Sequence, residues 1–145
     1  MPGDLLRASE RAAIVSLKAD APLATLVAKA SIEPTDEAPA WPFIRLDGTQ
    51  AIPAGRGCTA RSEVTFLLHA FAKPRYNGSG GMVETAKDQA GAITSAIVEA
   101  IHGHAFVNDG RRYRFAARSS RLMQDGAEAD AWHGIVSIVA RAFQG

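Results

Sequence analysis

Residues 61–71, RSEVTFLLHAF, constrain the fold more than any other stretch of the chain. Read with a two-residue period, Val64, Phe66, Leu68 and Ala70 fall on one face, and Glu63, Thr65, Leu67, His69 and Phe71 on the other. Both faces carry apolar groups, which is wrong for a strand with one fully wetted side. Such a strand belongs inside a sheet with something packed against each face, either a helix or a second subunit. These eleven residues at ~3.3 Å apiece reach roughly 36 Å, long for a small domain.

The remaining segments read as cover for this strand. Residues 4–19 form an amphipathic helix with Leu6, Ala13, Ile14 and Leu17 on its apolar side. Asp20 caps a second, short helix with Pro22 in its first turn and Leu23, Leu26 and Val27 buried. The proline-rich IEPTDEAPAWP is a connector. Residues 43–48 are a strand with Ile44 and Leu46 opposed to Arg45 and Asp47, and residues 50–60 a long hairpin loop back into the opening strand. KPRYNGSGGM is too rich in Asn-Gly and Gly-Gly for regular structure. Residues 84–101 are the clearest helix, with Ala86, Ala90, Ile93, Ile97, Ala100 and Ile101 in one stripe and Gly103 as its stop. Asn108-Asp109-Gly110 turns into a strand over 112–122, and 132–143 is the last strand. In the latter, Trp132, Val136, Ile138, Ala140 and Ala142 alternate with His133, Ile135, Val139, Arg141 and Phe143. The expected fold is α+β: a mostly antiparallel four-stranded sheet with helices gathered on one face, in the order α-α-β-β-α-β-β.

At 145 residues the chain is read as a single domain over 1–145, and 47% hydrophobic residues suffice for a core. Sixteen Lys and Arg against 15 Asp and Glu leave a net charge of +1, which gives no bulk attraction to nucleic acid or membrane. The single cysteine, Cys58, excludes an intramolecular disulfide framework and fits a reducing compartment. The start, MPGDLLRASERAA, has no signal-peptide apolar run, and no window approaches a membrane span.

No constellation with catalytic specificity emerges. His102 and His104 flank Gly103 at a helix end without a third metal ligand at suitable spacing. Cys58 lies beside Arg56 and Arg61, which could activate a thiol, but no partner histidine is placed by the sequence. The Gly78–Gly81 run before a helix lacks both the P-loop and the dinucleotide spacing. Glu33, Asp36 and Glu37 read as solubilising. Arg111, Arg112, Arg114, Arg118 and Arg121 are the one local basic bias; by alternation Arg112, Arg114 and Arg118 share a face and Arg121 takes the other. No catalytic residue, cofactor or metal is assigned. Two strands apolar on both sides point instead to a subunit that buries sheet surface in an assembly. The candidate subunit-interface residues are Leu67, His69, Phe71, Arg112, Arg114, Arg118, His133 and Ile135.

The linear pattern resembles the tail completion, or tail terminator, proteins of long-tailed bacteriophages, prophages and gene transfer agents. The resemblance runs from Leu5 to Phe143 and is carried by LLRASERAAIVSLKADAPLATLVAKA, PFIRL, SEVTFLLHAFAK, the helix ending Ile101-His102-Gly103, the Asp109-Gly110 turn, and Asp125-Gly126 with WHGIV at 132–136. The loops 50–60 and 76–82 depart from it. The resemblance implies a non-enzymatic protein at the head-proximal end of the virion tail, assembled in the bacterial host cytoplasm. It implies a homohexameric ring that caps the tail tube, ends tail polymerisation and joins tail to head. The partners would be other copies of itself, tail-tube protein and a head-tail connector or neck protein. DNA would pass through the bore without sequence-specific binding, and no membrane is involved. The alternatives are another head-tail connector, or a small cytoplasmic enzyme or ligand-binding domain using Cys58 or the histidines.

Overall fold

The computed structural model describes residues 5–53 and 62–144. The loop expected over 50–60 therefore falls largely outside the described residues, and so does Cys58. Helix α1 (Leu5–Ala19) and the one-turn α2 (Ala21–Ala24) open the chain. Strands β1 (Phe43–Pro53) and β2 (Ser62–Ala72) follow, then a small hairpin of β3 (Arg75–Tyr76) and β4 (Met82–Glu84). Helix α3 (Ala86–Ile101), β5 (Ala105–Asn108), β6 (Arg111–Gln124) and β7 (Trp132–Gln144) complete it.

The main sheet has five strands in the order β1-β2-β7-β6-β5, and every neighbouring pair is antiparallel. The mixed α+β character and the helices on one face are as expected, but the count of four strands and the element order are corrected. The additional strand is β5. It pairs Ala105–Asn108 with Arg111–Arg114 across the two-residue turn Asp109-Gly110. Both turn residues have positive φ, 51° and 75°, the geometry that Asp-Gly supplies at low cost and that matches strand twist in tight hairpins. The Gly-rich stretch also holds regular structure: β3 and β4 close around Asn77, whose side chain accepts from the N–H groups of Ser79 and Gly81.

The core lies between the sheet and the helices. Val64, Phe66, Leu68 and Ala70 of β2 are all at most 1% exposed, and so are Val136, Ile138 and Ala140 of β7. Tyr113 and Phe115 of β6 join them. Onto this face α3 presents Ala90, Ile93, Ile97 and Ile101, and α1 presents Ala12, Ala13 and Leu17. Thr85 caps α3 by accepting from Asp88 N–H at 3.1 Å, which fixes where the helix starts. Asp20 does the same for α2 at Leu23 N–H.

The free edge of β1 is covered by the proline-rich connector. Glu33 N–H donates to Ile44 C=O at 2.7 Å, and Glu33 Oε2 accepts from Leu46 N–H at 2.8 Å. Arg45 donates back to the carbonyls of Pro34 and Asp36. Glu33 is thus not merely solubilising: its carboxylate stands in for a missing strand, one of the ways an edge is kept from pairing with other chains. Burial raises the Glu33 carboxyl above its ordinary range, opposed by the Leu46 hydrogen bond and by Arg45.

Candidate functional site: the uncovered face of the sheet

The helices lie on one side of the sheet; on the other face Trp41 of the connector meets Phe43 and Phe71 edge-on at one end, and Phe43, Ile135 and Val139 are at most 7% exposed, while Leu67, His69, Phe71 and His133 are only partly buried. The strand registers arrange the side chains of this face in cross-strand rows. One row runs Phe43, Phe71, His133, Met123; the next runs Arg45, His69, Ile135, Arg121; and the next, Asp47, Leu67, Ser137, Ser119. Towards the other end, Glu63, Arg141 and Arg114 share a row, followed by Phe143 and Arg112. Side chains directly opposite on antiparallel strands touch, so each row is a contact unit.

Seven of the eight residues singled out from the sequence come together here: Leu67, His69, Phe71, His133 and Ile135 towards one end, Arg112 and Arg114 at the other. Arg118 does not share their register. The pairing of β6 with β7 slips between Ala117 and Ser119, leaving Arg118 as the extra residue of a bulge. A one-residue insertion reverses the alternation beyond it. Consequently Arg121, expected on the opposite side, joins the face of Arg112 and Arg114.

The aromatic end is closely stacked. The rings of Phe43 and Phe71 lie 4.8 Å apart, Phe71 and His133 4.3 Å, and Trp41 meets Phe43 edge-on at 4.9 Å. Lys73 sits over Trp41, and Arg45 over Phe43. A hydrogen-bonded chain crosses three strands: Asp47 Oδ1 to His69 Nε2 at 2.6 Å, and His69 Nδ1 to His133 Nε2 at 2.6 Å. The carboxylate only accepts, so His69 Nε2 carries a proton, and one proton serves the two facing nitrogens between the rings. The arrangement orients the two imidazoles against each other and against Asp47. No group of three or more His, Cys, Asp or Glu able to hold a metal occurs among the described residues. His102 and His104 serve the backbone: His102 Nδ1 accepts from Ala117 N–H, and the His104 ring bonds Glu99 C=O.

His133 is held below its ordinary value, chiefly by burial and next by the neighbouring His69; Asp125 and Asp47 pull the other way, and Arg121 adds to the depression. A histidine depressed in the folded state binds fewer protons there than in the unfolded chain. It therefore contributes full stability above the unfolded value near 6.5, and that contribution is lost as pH falls below it. Between pH ~7.5 and ~5.5 the wild-type melting temperature is expected to fall by a few degrees more than that of His133→Gln. Equal pH slopes for the two proteins in thermal melts would refute this role.

The architecture defines a class: a small α+β fold built on a five-stranded antiparallel sheet, with the core and helices on one side and patterned rows of side chains on the other. The profile of the tail completion protein gp17 family matches residues 11–142, and the chain belongs to that family, which gives it a structural role in a phage tail. Among solved structures, a chain of the "Virion of native gene transfer agent (GTA) particle" has the same fold, with a TM-score of 0.73 at 18% identity over 95% of this chain and 97% of that one. No curated protein sequence matches.

Proposed function

We propose that this protein assembles into a closed ring, of six copies by the family resemblance, that caps the tail tube, ends its polymerisation and joins tail to head. The observation that carries this reading is a sheet patterned for contact on both faces but covered by its own helices on one. Leu67, His69, Phe71, His133 and Ile135 then meet other protein in the ring, together with Arg112 and Arg114. Tail-tube protein binds one rim, and a connector or neck protein binds the other. DNA passes through the bore without being read. Membership of the tail completion family supports this role, as does the shared fold with a chain of a gene transfer agent virion. The chemistry is binding, with no covalent step.

Native mass spectrometry and negative-stain microscopy test the proposal, each with and without tail-tube protein. Rings of several subunits that bind tail-tube protein are expected. A protein that stays monomeric at high concentration and never binds a tail tube would overturn it. Capture of a portal-side adaptor without tail-tube protein would instead make it another connector of the neck.

A further inference from the structure

The near-neutral net charge hides a separation of charge across the sheet. Between Gly110 and Gln124 the sequence has Arg111, Arg112, Arg114, Arg118 and Arg121 and no Asp or Glu. None of the five forms an ion pair among the described residues. β5 covers β6 only as far as Arg114, so beyond the bulge β6 is an outer strand. There Arg118 and Arg121 are exposed beside Leu122 and Met123, which are 38% and 44% exposed. A groove of about 350 Å³ runs between α3 and this strand, lined by Gly91, Thr94, Ser95, Ser120, Arg121 and Leu122.

The opposite edge of the sheet has the opposite sign. The connector over β1 carries Glu33, Asp36 and Glu37. Glu33 is engaged with Leu46, but Asp36 and Glu37 are exposed and have no ion pair among the described residues. Arg45 beside them donates to the connector carbonyls of Pro34 and Asp36. Two like edges repel, whereas unlike edges attract and fix the register of approach. A molecule with complementary charges on opposite edges associates head to tail, which is the heterologous contact that generates rings. The mixture of Arg, Met and Leu at the β6 edge suits a protein contact better than a purely electrostatic track for nucleic acid.

We propose that the Arg118 and Arg121 edge of one copy docks on the Asp36 and Glu37 connector of the next copy. This rests on the ring reading and names its intersubunit contact. Charge-reversal variants test it: Arg118→Glu with Arg121→Glu in one protein, Asp36→Lys with Glu37→Lys in another. All four sites are exposed, and circular dichroism checks that the fold survives. Each variant alone is expected to need at least ~10-fold higher concentration to assemble in sedimentation velocity. An equimolar mixture is expected to recover wild-type assembly, because each variant then presents its intact edge and its reversed edge to matching partners. Wild-type assembly with both variants assembling equally well would overturn the pairing and leave the ring reading standing. A wild type that never assembles, with or without tail-tube protein, would remove both. Loss of retention on a DNA column by the arginine variant, with assembly unchanged, would also overturn the pairing, in favour of a nucleic-acid surface.

Discussion

Phe66→Asp is expected to abolish the folded protein, whereas Leu67→Asp is expected to keep the fold and abolish assembly. The two residues are neighbours on β2 and point to opposite faces. Phe66 is 1% exposed and meets Phe115 edge-on at 6.5 Å beneath the helices. Removing a buried phenyl ring costs about 3–5 kcal/mol, and the cavity it leaves is apolar. An aspartate there sits among the apolar side chains of the core, so it adds several kcal/mol of desolvation or must take up a proton. The sum is comparable with the ~5–15 kcal/mol that stabilises a typical domain. Leu67 is only partly buried on the open face, opposite Asp47 on β1 and Ser137 on β7. An aspartate there keeps access to water. It loses some apolar contact and faces the Asp47 carboxylate, a like-charge cross-strand pair, for about 1–2 kcal/mol in total. Urea denaturation and native mass spectrometry read the two effects separately. If both variants unfold, the open face belongs to the monomer core and the division of β2 into a fold face and a contact face is wrong.

The split of β2 into a buried face and a partly exposed one was legible in the sequence because alternation is a local property. β2 and β7 declare both their faces within eleven to thirteen residues, and the α3 stripe declares its own by helical spacing. What the sequence did not yield depended on pairing across distance. β5 is four residues, AFVN, with too few alternations to distinguish it from a linker. The usable signal was the Asp109-Gly110 dipeptide, since a two-residue turn of that type requires strands on both sides. The bulge at Arg118 left no local mark, yet it decides which arginines share a face. His69 and His133 were both assigned to the outer side, but their contact follows from the register of β2 against β7, over 64 positions of sequence. Glu33 looked like one carboxylate of a solvated connector. Its bond to Leu46 N–H, thirteen residues on, exists only once β1 is an edge.

The second large effect is expected at Gly134, inside the WHGIV stretch. Gly134 lies on the helix side of β7, opposite Ala70 of β2, where α3 crosses. A Cβ added there would stand 1.9 Å from Thr94 Oγ1, 3.3 Å from Thr94 Cβ and 3.4 Å from Ala90 O. Thr94 is itself buried, and its hydroxyl donates to Ala90 C=O one turn back along α3. The absence of a side chain at 134 thus allows the helix to lie directly on the sheet and brings Ile93 and Ile97 into the core. Gly134→Ala forces Thr94 off its rotamer or lifts α3, for about 1–3 kcal/mol, and Gly134→Val costs more because two further methyl groups meet helix backbone. In a Thr94→Ala background the shortest contact disappears while the approach to Ala90 O remains. Gly134→Ala should therefore cost clearly less there than in the wild type, a coupling that a double-mutant cycle on urea midpoints measures. An additive cycle would mean that Thr94 does not limit the spacing. A neutral Gly134→Ala in the wild-type background would mean that α3 does not approach β7 closely enough to require glycine.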